Sequence, residues 1–222
     1  VAVVIALCLV ALDLRLQLSM SMSYVPPVSL RPRLQLKDKR PILHVAGSFN
    51  PPHRGHIEMI ADAVKLAEDA GPTLQAILIA IKSDDRLLAK NYPVASEARL
   101  PHAHRRTLLE EMLKSASDKQ SHWAAHVHFD DHWRDFRGES VQIRKETDTF
   151  YNSLGIRVIR AMGDDQVQRF GLTEDPDVIG VPRGSSGLSS TLVREWLRNG
   201  RMHELNEVYH SACLEQLVDV WK

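Results

Sequence analysis

From residue 42 onward the chain alternates between two hydrophobic periods. Ile42-Leu43-His44-Val45-Ala46 is a short apolar run of strand length. Ile57, Ile60, Ala61, Val64 and Ala67 then recur at helical spacing, and Gly71-Pro72 stops that pattern. Leu74 to Ile81 is apolar on both faces, the mark of a strand inside a parallel sheet. Leu100, His104, Leu108 and Met112 share one helical face, with Leu109 and Leu113 beside it. Ala125–Phe129 reads as a third strand, Ser140–Asn152 as a weaker helix, and Ile156–Met162 as a strand. Val178–Val181 is a short strand, Thr191–Asn199 a helix closed by Gly200, and Leu205–Val218 a last helix. Strand and helix in alternation predict an α/β fold with an open, mostly parallel sheet and helices on both faces. Ligands of such sheets bind beyond the carboxyl ends of the strands.

The first 40 residues break this rhythm. Val1 to Leu12 is an unbroken apolar run of 12 residues, short of the roughly 20 that span a bilayer. Pro26, Pro27, Pro32 and Pro41 follow among Ser, Arg and Lys. Residues 1–40 are therefore read as an extension and linker without a fixed structure of their own, and residues 41–222 as the folded domain. No stable membrane insertion is expected. The extension carries six basic and two acidic side chains, which leaves a mitochondrial presequence open beside a cytoplasmic or nuclear location. The chain has 222 residues, 44% of them apolar, enough for one domain with a sizeable core. Its 28 basic and 28 acidic side chains cancel, which argues against a general nucleic-acid binder. Cys8 and Cys213 lie far apart and form neither a disulfide framework nor a zinc spacing. His122, His126, His128 and His132 lie close together, but on a segment of strand and loop pattern, so they are read as surface histidines and no protein-bound metal is expected.

Two segments carry chemistry. Gly47-Ser48-Phe49-Asn50-Pro51-Pro52-His53-Arg54-Gly55-His56 joins the first strand to the first helix. Gly47 permits close approach of a ligand, Phe49 anchors the loop in the core, and Asn50-Pro51-Pro52 stiffens the turn. His53 and His56 are three apart and face one way at a helix start, where backbone N–H groups and imidazoles make a phosphate site. Bound phosphate would favour imidazolium and raise both pKa values. The second segment is Ser189-Ser190-Thr191-Leu192-Val193-Arg194. Ser190 and Thr191 are suitable N-caps, Arg194 follows one turn in, and Leu192 and Val193 cover the core side. Both segments follow strands, and both are read as solvent-facing walls of one crevice.

These residues resemble the nucleotidyltransferase superfamily with His-x-Gly-His and Ser-Ser-Thr-x-x-Arg signatures. Within it the chain is most similar to the nicotinamide/nicotinate mononucleotide adenylyltransferases, over about residues 41–220. Gly-Ser-Phe-Asn-Pro-Pro is close to their opening motif. Ser83 with Lys90, and His104-Arg105 at a helix start, resemble their substrate-loop region. Asp130-Asp131-His132-Trp133 resembles their Asp-x-Trp segment, and Met162-Gly163-Asp164-Asp165 their Gly-x-Asp turn. Two departures stand out. His53 occupies a position where this branch often has Thr. Only 23 residues separate Asp165 from Ser189, where the branch usually places a further strand, a helix and a second ring-contacting tryptophan.

The resemblance implies a Rossmann-like fold and transfer of AMP from ATP to nicotinamide or nicotinate mononucleotide. The products are NAD or its deamido form and pyrophosphate, with magnesium. It implies His53, His56 and Arg194 as the catalytic set. Gly47, Ser48, Phe49, Gly163, Asp165, Ser190, Thr191, Leu192 and Val193 would line the ATP and dinucleotide site, Asp165 holding a ribose. Lys90 and Trp133 would serve the mononucleotide, the tryptophan by stacking on its ring. The partner is then a small-molecule mononucleotide, and homo-oligomerisation stays open. Two alternatives also stay open: a related transferase with another phosphate acceptor, and a diverged ATP-binding or ATPase protein without transferase activity.

Overall fold

Five parallel strands form one sheet in the computed structural model of the chain, in the order β3-β2-β1-β4-β5. They are β1 (Ile42–Gly47), β2 (Ala76–Ile81), β3 (Val127–Phe129), β4 (Val158–Gly163) and β5 (Val178–Val181). The structure describes residues 39–71, 73–88, 100–117, 123, 126–133, 140–182, 184 and 187–221. β1 and β2, the central strands of the apolar pattern, are paired over six residues, from Ile42 beside Ala76 to Gly47 beside Ile81. Every residue of β2 is buried, as a strand covered on both faces requires.

Helix α1 (Arg54–Ala70) lies on one face, burying Ile60, Ala63, Val64 and Ala67 against Leu43, Val45, Ile77, Ile79, Ile159 and Ala161. Ala63 takes the buried place expected for Ala61. Helix α3 (His102–Ser117) adds Leu109 and Leu113 to the same cluster. Helix α4 (Ser140–Ser153) covers the other face, where Tyr151 packs with Ile42, Leu78 and Val158, and Ile143 with Ala80 and Trp133. Short helices α2 (Asp84–Leu88) and α5 (Asp164–Arg169) follow β2 and β4. Neither is long enough to show a helical period, so neither is legible in the sequence. The interval 166–188 thus holds most of α5 and all of β5.

Three helices close the chain: α6 (Ser190–Arg198), α7 (Met202–Val208) and α8 (Ser211–Trp221). The single terminal helix of the sequence pattern is two helices. Tyr209 adopts an extended conformation (φ −120°, ψ 140°) and breaks it, because its ring is drawn into a cluster with Leu100, Met112, Val193, Leu205 and Leu214. His104 is exposed on α3, and the side chain that turns inward there is Arg105. No described helix is long and apolar enough to cross a membrane.

Neighbours of β1 were laid down in opposite directions along the chain: β2 on one side, β4 on the other. The switch point of the sheet therefore lies between β1 and β4, where successive crossovers diverge and leave a crevice above the strand ends.

Candidate active site

A cleft of about 470 Å³ opens at that switch point. Its floor is the carboxyl ends of β1 and β4, Val45–Phe49 and Ala161–Gly163. Its walls are the start of α1 with His53, Gly55 and His56, the start of α6 with Ser189 and Ser190, and Asp165. The volume falls within the range of small-molecule sites.

The loop after β1 is held in a shape it would not take alone. Phe49 has φ +47°, rare for an aromatic residue, and its ring is 1% exposed. The ring lies where a Cβ on Gly47 would be, 2.7 Å from its Cε2 atom, so Gly47 must lack one. Each carbonyl of the following tripeptide is bonded by a distant side chain. The Asn50 carbonyl accepts from Arg194 Nη1 (2.5 Å), the Pro51 carbonyl from Ser190 Oγ (3.0 Å), and the Pro52 carbonyl from the Tyr209 hydroxyl. The Asn50 side chain accepts the Leu100 N–H (2.9 Å). Two residues upstream of Asn50, the Ser48 carbonyl accepts from Arg105 Nη1 (2.7 Å). Arg105 is fully buried and also reaches the Leu100 carbonyl (2.9 Å) and Asp84 (2.6 Å).

His53 is the N-cap of α1 and His56 stands three residues in. Their ring centroids lie 3.9 Å apart with the planes tilted by 38°, and His56 packs against Phe49 at 5.0 Å. The His53 N–H donates to His56 Nδ1 (3.1 Å). Nδ1 must then be unprotonated, so a neutral His56 carries its proton on Nε2. Both imidazoles are neutral in the unliganded cleft. Burial lowers His53 to about 4, against a weaker upward pull from Glu58. Burial, then the neighbouring His53, pushes His56 well below its ordinary value. The rise expected for both histidines needs a polyanion in the cleft; the fold alone works the other way. They offer N–H dipoles rather than standing charges.

The starts of α1 and α6 bring two positive helix ends to one cleft, and neither has an acidic residue in its first turn. Ser189, not Ser190 or Thr191, caps α6: its Oγ accepts the Leu192 N–H (3.2 Å) and its carbonyl the Val193 N–H (3.0 Å). That leaves the Ser190 and Thr191 N–H groups as the donors the cap does not use. Leu192 is only partly buried and Val193 is fully buried in the helical cluster. Neither Leu192 nor Val193 has an N–H to spare for phosphate.

Two expected site residues sit elsewhere. Arg194 is 5% exposed, not solvent-facing, and is bound to the Asn50 carbonyl and to Thr191 Oγ1 (3.0 Å). In this structure it clamps the loop from behind. Trp133 is 3% exposed and packs with Ala80 and Ile143 behind the sheet, so its ring presents no face for stacking. Lys90 lies outside the described residues. Ser83 caps α2 through its Oγ (3.3 Å from the Arg86 N–H), and Asp131 pairs with Arg106. Asp165 is exposed at the rim, and Gly163 makes room for it: a Cβ there would stand 2.7 Å from Oδ1 of the carboxylate. His126 and His128 are exposed around β3 and His132 is buried against Glu146 (3.3 Å), so these three share no helix face.

Pattern reading misses Asp84 and Tyr209, and it names Asn50 and Arg105 without the long-range bonds they make. Each acts across tens of residues, and no local spacing marks it.

The chain belongs to the cytidylyltransferase-like family, whose model matches residues 44–195, and it carries a nucleotidyltransferase fold. Among solved structures it is similar to Plasmodium falciparum nicotinic acid mononucleotide adenylyltransferase complexed with NaAD, with TM-score 0.58 and 11% identity. It is also similar to that enzyme complexed with APC, with TM-score 0.60 and 11% identity. Each match covers 82% of this chain and 96% of the other. No curated protein matches the chain by sequence.

Proposed function

We propose that the protein is an adenylyltransferase that joins the AMP part of ATP to nicotinamide or nicotinate mononucleotide, releasing pyrophosphate. The observation that carries this reading is the meeting of two helix N-termini, both free of first-turn acids, around His53 and His56 at the switch point of the sheet. Such a crevice holds a polyphosphate chain through backbone dipoles. The name of the Plasmodium enzyme, and the NaAD bound to it, supply the acceptor class.

In the proposed reaction a phosphate oxygen of the mononucleotide attacks the α-phosphorus of ATP. The bond from that phosphorus to the bridging oxygen breaks, and pyrophosphate leaves with the electron pair. Both reactants are anions, so the first task is to hold them in line, which can lower the barrier by roughly 7–11 kcal/mol in favourable cases. His56 Nε2–H, with the Ser190 and Thr191 N–H groups, donates to phosphate oxygens as charge develops on the leaving group. The bonded carbonyls of Ser48, Asn50, Pro51 and Pro52 keep the loop in place, so little reorganisation accompanies the step. Asp165 holds a ribose hydroxyl. Among the described residues there is no cluster of three metal ligands, and Asp165 is the one carboxylate they place on the cleft wall. That donor set fits magnesium arriving on the nucleotide, where it would neutralise phosphate charge.

Incubation of the folded chain with ATP and either mononucleotide should give dinucleotide and pyrophosphate in equal amounts. Label from α-labelled ATP appearing in another product would favour the reading with a different acceptor. The burial of Trp133 favours that reading. ATP bound with no transfer to any acceptor would sink the proposal.

A further inference from the structure

Behind the sheet, on the face covered by α4, a second group of polar side chains encloses a small cavity that the proposed reaction does not use. His44 on β1 and Arg160 on β4 are register partners and stand side by side. Arg144 of α4 closes over them, and Ala46, Ala161 and Met162 complete the lining. The space measures about 10 Å³, about the room one water-sized group needs.

The groups around it are poorly matched by protein. His44 is 2% exposed and its Nε2 has no hydrogen-bond partner, nor has Arg160 Nε. Asp175 (3.0 Å) and Asp148 (3.7 Å) reach the terminal nitrogens of Arg160, but neither carboxylate lines the cavity. Asp148 attracts Arg144 as well, but Arg144 and Arg160 repel one another, and burial, then the two arginines, lowers His44 to about 3. A neutral water would bond to these donors but leave the repulsion in place. A cation is excluded by the same charges. An anion both accepts the bonds and offsets the paired guanidiniums.

We propose that this cavity is a binding site for one halide-sized anion, chloride under physiological conditions, held by Arg144, Arg160 and the Nε2–H of His44. Because the three side chains come from β1, β4 and α4, the ion would bind α4 to the sheet and couple folding to halide concentration.

Bromide is the probe. Diffraction at the bromine edge from crystals of the full chain grown in sodium bromide should give an anomalous peak within hydrogen-bonding range of both guanidiniums and His44. In solution, replacing sodium gluconate by sodium chloride or bromide at constant ionic strength should raise Tm by a few degrees and then saturate. Arg144→Gln, which changes the partly exposed member, should abolish the halide-specific rise. A water without anomalous signal at the position would overturn the proposal. So would identical melting curves in gluconate and halide. The wild-type diffraction experiment decides the matter even if the variant does not fold.

Discussion

The two ends of the cleft are built on different principles. The proposed triphosphate end is largely local: strand, glycine, tripeptide and helix start occupy residues 42–56, while α6 and the bracing Arg105 and Tyr209 come from far away. The proposed acceptor end draws on separate loops. Of the two side chains expected there, Trp133 is buried behind the sheet. A site made of backbone N–H groups needs only the right turn. A site made of side chains from separate loops depends on how each loop packs. The first end is therefore set by backbone geometry, and the sharpest experiments weigh one end against the other.

The largest effect is expected at His56. His56→Ala should lower kcat by about 10²–10³-fold, the usual cost of one donor to developing charge. It should destabilise the fold by only about 1 kcal/mol, through the lost bond to the His53 N–H. Pyrophosphate release and thermal melting measured together check this. A variant that mainly unfolds would assign His56 to structure.

Arg105→Met should cost about 3 kcal/mol, because it removes the donor to the half-buried Ser48 and buried Leu100 carbonyls. Loss of stability and of ATP affinity together would place Arg105 as a positioning residue for the β1 loop. Intact ATP affinity at permissive temperature would show that the loop keeps its shape without it.

Arg194→Ala tests whether this guanidinium clamps or catalyses. As a clamp on the Asn50 carbonyl it should cost about 2 kcal/mol in denaturant unfolding. A fall in kcat with stability unchanged would return Arg194 to the outgoing phosphates.

Acid should weaken the fold through the buried histidines. The unfolded chain protonates near 6.5, the folded His53 only near 4 and His44 near 3. Stability is thus complete above about pH 6.5 and falls as the pH drops through these lower values. His53→Gln should flatten part of that slope, read from unfolding free energies between pH 7 and pH 4.

The smallest effect is expected at Trp133. Trp133→Phe should lower stability by about 1–2 kcal/mol and leave KM unchanged for ATP and mononucleotide alike. A rise in KM for the mononucleotide alone would restore the stacking role and require the ring to leave its pocket.

Strand β1, helix α1 and the turn between them are readable in the chain because their hydrophobic period, glycine and histidines are neighbours. The Ser189–Arg194 segment is readable as a helix start but not in its detail. Which serine caps, and which way Arg194 turns, depend on Asn50 lying beside it, 144 residues upstream. The break at Tyr209 is invisible in the same way, since the Pro52 carbonyl that takes its hydroxyl is 157 residues away. Short elements such as α2 and α5 carry too few residues to set a period.

Local spacing alone determined the alternation of strand and helix, the parallel sheet, and the two helix starts that line the cleft, since each depends on neighbours in the chain and on backbone geometry. Tertiary structure decided that Arg105, Arg194 and Tyr209 brace one loop, that Trp133 faces the core, and that His44, Arg144 and Arg160 surround a cavity. Those outcomes turn on contacts between segments remote in sequence, where burial and hydrogen-bond demand, not residue type, choose the partner.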